Sequence, residues 1–357
     1  MENFSDRLVT ILNHGALNLA LGIGYSNGIF DTMDEHKRSL TLGELASATG
    51  LDARYLEEWL GVMVTGGIVE LGENGDGGDS FLLPRSHGDL LCRRAGSNNL
   101  GVYTQEIPLL TTCALGAVQQ GFKTGNGVPY ANYPEFQAFM TQLADAKHEQ
   151  VLLDEFLPCV DEGRIVDQLG IGIRACDLGC GQGVALNLMA GAFPDSEFTG
   201  IDIDAVAIET ARACARESGL TNVVYRVQDA ATVGDVKDLE NRFDYITAFD
   251  AIHDQTHPFA ALQGVLYMLK PCGAFSMIDI KAASKIGDNK DHPMAPFLYT
   301  VSLMHCMPVG LNDNGRGLGM MWGEEQALDL LGEAGFSLAS VEEIPNDPFN
   351  LHFFCRP

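Results

Sequence analysis

Three glycines spaced two residues apart follow an acid in the stretch CDLGCGQG at positions 176–183. Gly179, Gly181 and Gly183 permit a tight strand-to-helix turn and close approach of the backbone to a ligand. The dinucleotide fingerprint has a different spacing, G-x-G-x-x-G. The carboxylate of Asp177, two residues before the first glycine, would repel a pyrophosphate and attract an ammonium group. The pattern therefore indicates a nucleoside ligand with an ammonium group, and S-adenosylmethionine (SAM) is such a ligand.

Further acids follow the next two predicted strands. Asp202 comes nineteen positions after Gly183, close to the spacing of about 20 for an acid that binds ribose. Asp229 and Ala230 follow the third strand and suit the amine and ring of adenine. Each acid alone is more typical of a solvated turn, but the ordered set predicts SAM, with S-adenosylhomocysteine as its product. The predicted cofactor residues are Asp177, Gly179, Cys180, Gly181, Gly183, Asp202, Ile203, Asp229, Ala230 and Asp250.

One histidine is placed for proton transfer. The fourth predicted strand leads into FDAIHDQTHP, and His253 lies just past it, beside the expected position of the methyl group. Its ordinary pKa near 6.5 would leave neutral imidazole available at pH 7. His253 is therefore predicted to be a general base for a hydroxyl acceptor. The alternative is a structural histidine that caps the following helix or bonds a backbone carbonyl.

Strand and helix patterns alternate from residue 170 onward. Helical periodicity separates the strands, which predicts a doubly wound, mainly parallel, Rossmann-like α/β sheet with ligands at the strand carboxyl ends. We assign this domain to residues 166–357 and a helical connector or lid to residues 93–165. The seven predicted strands lie near IRACDL, FTGIDI, VVYRVQ, FDYITAF, GAFSMIDI, LASVEEI and LHFFCR.

Residues 1–92 show the order of an α+β winged helix. Thr41 and Glu44 form a predicted capping box that opens one helix, and Asp52 caps a second. A hairpin follows, with strands IVEL and FLLP around the turn GENGDGGDS. The segment carries five basic residues and fourteen acidic ones. Arg54 is the only basic residue of the candidate recognition helix. This balance opposes DNA binding and favours a role in dimerisation.

Composition limits the function classes. The 357 residues carry 48 acidic and 22 basic side chains, a net charge of −26, which disfavours general nucleic-acid binding. Nine cysteines without C-x-x-C spacing fit a reducing cytoplasm. The apolar stretch at the N-terminus is interrupted by Asn13, His14 and Asn18, so we expect a buried helix rather than a membrane span.

Residues 170–357 resemble the class I SAM-dependent methyltransferases in DLGCGQG and GIDID. The whole chain resembles the winged-helix small-molecule methyltransferases. These include the plant-type O-methyltransferases and a bacterial branch that GFKTGNGVPY, FDAIHDQTHP and HCMP resemble. The resemblance implies a homodimer through the N-terminal domain, whose partner chain can line the pocket. It also implies that Asp279, in MIDIK, orients the histidine of the His253–Asp254 pair. The family tryptophan after that pair is replaced by Gln255.

Two further predictions concern the acceptor and metals. The candidate acceptor walls are Phe122, Tyr130, Phe297, His305 and Trp322. Three interpretations fit the segment 296–310: an acceptor pocket with adaptable walls, a soft-metal or arsenic site, and a core helix with buried sulfur. A magnesium site of the catechol type would use Asp250 and Asp254, but Asp279 is followed by Ile280 instead of asparagine. We therefore predict no metal.

The sequence thus predicts a cytoplasmic SAM-dependent methyltransferase for a small molecule, with oxygen as the acceptor atom. The alternatives are an N- or S-methyltransferase without an essential base, and a winged-helix transcription regulator that senses SAM.

Overall fold

The computed structural model describes residues 3–73, 75 and 77–357. By their internal contacts these residues divide into two units, Met1–Thr112 and Cys113–Pro357. The boundaries expected after residues 92 and 165 stay predictions.

The first unit has the predicted order of helix, turn, helix and hairpin. Strands β1 and β2 pair antiparallel, with Glu70 opposite Leu82 and Glu73 opposite Asp79. The predicted turn between them includes Asn74 and Asp76, which lie outside the described residues. The elements are α1 (Phe4–Ser26), α2 (Ile29–His36), α3 (Leu42–Thr49), α4 (Ala53–Thr65), β1 (Glu70–Glu73), β2 (Asp79–Leu82) and α5 (Arg85–Leu91). Short 3₁₀ segments follow at Arg93–Asn98 and Gly101–Gln105.

The helix starts follow the sequence signals. The hydroxyl of Thr41 accepts from the backbone N–H of Glu44, whose carboxylate accepts from the backbone N–H of Thr41, which completes the capping box. Asp52 caps α4 by accepting from Arg54 N and Tyr55 N. On α4 the side chain of Arg54 pairs with Glu57 and Glu58, so its charge is neutralised by its own helix.

Helix α1 is not the buried helix that the sequence predicted. Ala20, Gly22, Gly24 and Tyr25 are its buried residues, and residues 3–16 are exposed. The indole N–H of Trp59 on α4 donates to the carbonyl of Ala20 at 2.9 Å, which anchors only the C-terminal part of α1. Among the described residues, α1 is the one helix that is long and apolar enough to cross a membrane, by length and composition alone.

Residues 106–171 are mainly helical, and strands and helices alternate from residue 174 onward, as the sequence predicts from residue 170. The elements are α6 (Glu106–Thr124), α7 (Pro134–Val151), a π-helical turn (Leu152–Phe156), α8 (Leu157–Cys159), α9 (Arg164–Ile171), β3 (Arg174–Leu178), α10 (Val184–Ala192), β4 (Glu197–Asp202), α11 (Ala205–Glu217), β5 (Val223–Val227), β6 (Phe243–Phe249), α12 (Pro258–Met268), β7 (Leu269–Ile280), α13 (Ala295–Met304), α14 (Cys306–Gly310), α15 (Gly323–Ala334), β8 (Ser337–Ile344) and β9 (Asp347–Arg356). Short 3₁₀ segments lie at Tyr130–Asn132, Val160–Gly163, Ala230–Asp235, Lys237–Leu239, Ile286–Asn289 and Asn312–Asn314.

Across the described residues, the large sheet has seven strands in the order β5-β4-β3-β6-β7-β9-β8. Neighbouring strands from β5 to β7 run parallel. Strand β9 runs antiparallel to both β7 and β8. This confirms the predicted doubly wound, mainly parallel fold. The strand order reverses between β3 and β6, and sheets of this type bind ligands at the carboxyl ends of the strands beside such a reversal.

Helices cover both faces of the sheet. On β6, Ile246 belongs to the core cluster that contains residues of α12 and α15. The adjacent Tyr245 belongs to a second cluster, with residues of α9, α10 and α11. Adjacent strand residues point to opposite faces, so these clusters are the two apolar layers. The residues that could do chemistry stand at the strand ends, outside the layers.

Candidate functional site

The glycine loop after β3 is tied to the end of β4. The backbone N–H groups of Gly179 and Cys180 both donate to the carbonyl of Ile201, at 2.8 and 3.1 Å. Gly179, Gly181 and Gly183 have φ of +76°, +51° and +78°, a region that favours glycine. A Cβ at Gly179 would lie 2.5 Å from the Cβ of Ala251. At Gly181 a Cβ would meet no described atom within 4 Å, so the middle of the loop faces open space.

Asp177 is a buried carboxyl at the base of this loop. Its Oδ1 accepts a hydrogen bond of 2.7 Å from the hydroxyl of Thr247, its partner residue on β6. Burial raises the pKa of Asp177 to about 7, and the bond from Thr247 opposes that rise. A cation beside this carboxyl would favour its ionised form. The site therefore suits an ammonium group, as the sequence predicts.

Asp202, at the end of β4, links the glycine loop to the next helix. Its Oδ2 accepts from Gly181 N at 2.8 Å, and its Oδ1 accepts from Asp204 N at 2.8 Å. Burial raises its pKa, while these backbone bonds oppose the rise. Each carboxylate oxygen can accept more than one bond, so both retain acceptor capacity for the hydroxyls of a ribose.

The other predicted cofactor residues stand at the same edge of the sheet. Asp229 caps the 3₁₀ segment Ala230–Asp235 by accepting from Ala231 N at 2.8 Å. Ala230 is buried, and Ile203 is exposed just past β4. Asp250, at the end of β6, accepts from the side-chain amide of Asn350 at 3.0 Å. Asp229 is thus a turn carboxylate, and its assignment to adenine stays a prediction.

Together these residues fit adenosine joined to an amino acid. The buried carboxyl of Asp177 suits the ammonium, the open side of Gly181 allows close approach, and Asp202 suits the ribose. These observations support the cofactor that the sequence predicts.

His253 and Asp279 form a buried dyad. His253 follows β6, Asp279 lies near the end of the neighbouring β7, and His253 Nδ1 is 2.7 Å from Asp279 Oδ1. The same oxygen accepts from Ile280 N at 2.8 Å and from the indole N–H of Trp322 at 3.1 Å. With Nδ1–H held by the carboxylate, Nε2 of His253 is the nitrogen that remains for exchange of a proton.

The pKa of His253 is shifted by its neighbours. Burial lowers this pKa, but the negative charges of Asp279 and Asp254 outweigh burial and raise it well above its ordinary value. The shift makes His253 a stronger base than an ordinary histidine once its ring is neutral.

A second histidine lies on the far side of Asp254. His253 Nε2 is 3.5 Å from Asp254 Oδ1, and His305 Nδ1 is 3.8 Å from Asp254 Oδ2. His305 Nδ1 is also 3.5 Å from the sulfur of Cys306. Burial lowers the pKa of His305, which favours its neutral ring, whereas the pKa of His253 is raised.

The predicted acceptor walls have different surroundings. Tyr130 lies beside His305, with ring centroids 6.0 Å apart. Tyr130 is 42% exposed, yet partial desolvation of its phenol, with the carboxylates of Asp254 and Asp202, raises the pKa of this group. Phe297 packs in the cluster around Leu298.

The last two residues predicted to line the acceptor pocket are Phe122 and Trp322. Phe122 is exposed on α6. Trp322 is buried in the core and donates to Asp279. This contact makes Trp322 a support of the dyad, and its role as a wall stays a prediction.

The segment GFKTGNGVPY packs against the segment that contains His305. Val128 N donates to the carbonyl of Pro308 at 2.9 Å. A Cβ at Gly127 would lie 2.3 Å from Asn312 N, so only glycine allows this close packing. These contacts hold Tyr130 beside His305.

Sequence reasoning missed two supporting residues. Thr247 is a hydroxyl within the strand FDYITAF, and this signal could have identified it as a partner of Asp177. Asn350 carries no such local signal, because it reaches Asp250 through strand pairing. Cys306 lies in the segment 296–310 that the sequence marks as a candidate soft-metal site, but its place beside the dyad depends on helix packing, which a single sequence does not specify.

We expect Asp202→Ala to weaken binding of S-adenosylhomocysteine about 10- to 100-fold. Hydrogen bonds to a charged group contribute about 1.5–3 kcal/mol, and the substitution also removes the acceptor that holds Gly181. Titration calorimetry measures the affinity. Asp195→Ala, at an exposed position before β4, is the matched control. Equal affinities for the two variants would contradict this assignment.

Two protein families match separate parts of the chain. Residues 170–303 match the family described as "Methyltransferase domain". Residues 15–93 match the "Rv2258c-like winged HTH domain". A ubiquinone biosynthesis O-methyltransferase of Methylococcus capsulatus is 27% identical over 168 residues. That alignment covers 46% of this chain and 66% of the relative's own length, which is just under two thirds.

Solved structures share the fold over the full length. Human N-acetylserotonin methyltransferase, determined in complex with SAM, has a TM-score of 0.70 at 16% identity, covering 99% of this chain and 98% of that chain. A putative O-methyltransferase of Nostoc punctiforme has a TM-score of 0.73 at 15% identity and covers 100% of both chains. At such low identity the likeness shows a shared fold. With the two family matches and the geometry of the glycine loop, it follows that this chain carries a SAM-dependent methyltransferase domain preceded by a winged-helix domain.

Proposed function

We propose that this protein transfers a methyl group from SAM to a hydroxyl oxygen of a small molecule, with His253 as the general base. The buried bond of 2.7 Å between His253 Nδ1 and Asp279 Oδ1 carries the proposal. A hydroxyl becomes an effective nucleophile when a positioned base removes its proton.

The roles within the dyad follow from its geometry. Asp279 fixes the ring of His253 and stabilises the imidazolium that forms when Nε2 accepts a proton. Ile280 N and the Trp322 indole hold Asp279 in place through the same oxygen. The burial of His253 and Asp279 strengthens this charge interaction, because little water competes for it.

The cofactor supplies an electrophilic methyl group on a sulfonium with a good leaving group. Asp177, the glycine loop and Asp202 would hold it through the amino-acid and ribose groups. The task of the chain is then to align the acceptor and to remove its proton.

The names of similar proteins support an oxygen acceptor. The Methylococcus relative is a ubiquinone biosynthesis O-methyltransferase, and another structure with this fold is the mitomycin 7-O-methyltransferase. His253, Tyr130 and His305 would face the acceptor, while Phe122, Phe297 and Trp322 stay as the other proposed walls. Nitrogen and sulfur acceptors are the alternative, because such nucleophiles can react without a base.

We expect His253→Ala to lower kcat by about 100- to 10,000-fold, the usual contribution of general base catalysis. Phenols, acids and amines would be screened with labelled SAM, and kcat would be measured for the best acceptor. The control is His257→Ala, an exposed histidine four residues away. Full activity of His253→Ala would contradict the assignment of His253 as the general base and would favour a nitrogen or sulfur acceptor.

The rate is expected to rise with pH and to keep rising above pH 6.5. The neutral form of His253 is the active one, and the charges of Asp279 and Asp254 raise its pKa. Asp279→Asn removes one of these charges, which lowers the pKa of His253 and moves the rise to lower pH. The maximal rate should also fall about tenfold or more. The measurement is kcat against pH. The control is Asp238→Asn, at the surface partner of Arg226, which should leave the dependence of kcat on pH unchanged. The same unchanged dependence for Asp279→Asn would contradict the assignment of His253 as the base.

The N-terminal unit is proposed to join two copies of the chain. Helix α1 carries exposed apolar side chains at the four- and seven-residue spacings of one helix face: Phe4, Leu8, Leu12, Leu19 and Ile23. A long apolar stripe of this kind is typical of a surface that pairs with a partner. A second copy offers the same stripe, and a twofold contact would cover both.

We expect the double variant Leu8→Glu with Leu12→Glu to be a monomer where the unaltered chain is a dimer, because the new carboxylates would face each other across the contact. Analytical ultracentrifugation measures the mass. Thr10→Glu, on the opposite side of α1, is the control. A monomeric unaltered chain would refute the dimer, and binding of that monomer to lipid vesicles would assign the stripe to a membrane.

The cytoplasm is the proposed compartment, and nucleic acid is not a proposed partner. All nine cysteines are free thiols, which fits a reducing environment. The pairing of Arg54 with Glu57 and Glu58 leaves α4 without a free cation to offer to phosphates. A regulator that senses SAM would have to bind duplex DNA with this acidic unit.

A further inference from the structure

Three different metal-ligand types converge at the dyad. One nitrogen of His253, one carboxylate oxygen of Asp254 and the sulfur of Cys306 all lie within 4.8 Å of one another. Asp254 follows His253 directly, whereas Cys306 begins α14. Imidazole, thiolate and carboxylate are the ligands that zinc takes in proteins. Magnesium and calcium prefer oxygen ligands alone, so this group favours a borderline or soft ion.

The outer contacts of His253 are those of a metal-bound histidine. Its Nδ1 is held by Asp279 at 2.7 Å, which directs Nε2 towards Asp254, 3.5 Å away. Metal-binding histidines almost always donate the second ring N–H to a carboxylate or carbonyl. The dyad that would position a base is therefore also the outer shell that a zinc ligand requires.

The group is buried and incompletely satisfied. His253 and Cys306 are buried, and Asp254 Oδ1 has no hydrogen-bond partner among the described residues. An enclosed carboxylate oxygen is stabilised by a cation beside it. His253 Nε2, 3.5 Å away, supplies that charge when it is protonated, and a metal ion would replace the proton. His305 Nδ1 lies 3.5 Å from Cys306 Sγ and 3.8 Å from Asp254 Oδ2, outside the group of three.

We propose that His253, Asp254 and Cys306 form a three-ligand binding site for a divalent cation of the zinc class. Binding requires the thiolate of Cys306 and neutral His253, so the thiol proton and any proton on Nε2 pass to solvent as the ion enters. No redox step is involved.

Occupancy of this site would exclude proton transfer by His253. The ion and an accepted proton use the same lone pair of Nε2, so the metal-bound chain would be inactive in a base-dependent methyl transfer. This consequence rests on the proposed function, whereas the metal site itself does not.

The test is direct titration of the full chain, freed of metal with a chelator, with Co²⁺ and then with Zn²⁺. We expect about one tightly bound ion per chain, a sulfur-to-cobalt charge-transfer band, and displacement of Co²⁺ by Zn²⁺ but not by Mg²⁺. Cys306→Ser should abolish the band and weaken binding more than the roughly 10- to 100-fold that loss of an outer-shell partner costs.

Two further variants separate loss of a ligand from loss of the fold. Cys355→Ser removes another buried thiol, on β9, and should change neither band nor affinity. Asp254 is less buried than the other two ligands, and Asp254→Asn keeps the size of its side chain. This variant should bind the ion more weakly and still fold. Thermal unfolding of each variant checks that the fold is kept. Absence of the charge-transfer band, or equal affinity of Cys306→Ser and Cys355→Ser, would overturn the proposal. Because the readout is the spectrum of the ion, failure of methyl transfer and failure of metal binding remain distinguishable.

Discussion

One oxygen atom, Oδ1 of Asp279, organises the side of the site where the acceptor would bind. It accepts from His253 Nδ1, Ile280 N and the Trp322 indole. These three donors come from the segment after β6, from β7 itself and from the turn before α15. A buried carboxylate is stable only when donors compensate for the loss of water. The requirement to satisfy Asp279 therefore constrains three separate parts of the chain.

The sheet brings this dyad to the cofactor residues. Strands β3 and β6 are neighbours at the reversal of strand order, so Asp177 lies opposite Thr247 and a Cβ on Gly179 would meet Ala251. Because parallel strands present their carboxyl ends at one edge, acids from β3 and β4 and the dyad from β6 and β7 share that edge. The antiparallel β9 adds Asn350, which holds Asp250. Cofactor binding and proton transfer thus use adjacent strands.

Burial lowers the pKa of both histidines of the site, but the net shifts of their pKa values have opposite directions. Two carboxylates outweigh burial at His253 and raise its pKa, whereas burial dominates at His305 and lowers the pKa there. The result is one ring with a raised pKa and one ring with a lowered pKa, on either side of Asp254. This arrangement provides a strong base and, with Cys306, a set of soft ligands at the same place. Competition between a proton and a metal ion for His253 is a direct consequence of that overlap.

The sequence by itself determined the alternation of strands and helices, the capping of α3 and α4, and the order of acids at the strand ends. These features depend on periodicity and on contacts within a few residues, which a single chain displays. The position of Asp279 came from a family resemblance, since no local pattern marks it. Only the tertiary structure decided that Trp322 supports the dyad and that Cys306 lies beside His253. It also decided that His253 carries a raised pKa and that α1 is exposed. Such properties depend on groups distant in sequence and on the burial that packing creates, so the spacing of residues does not encode them.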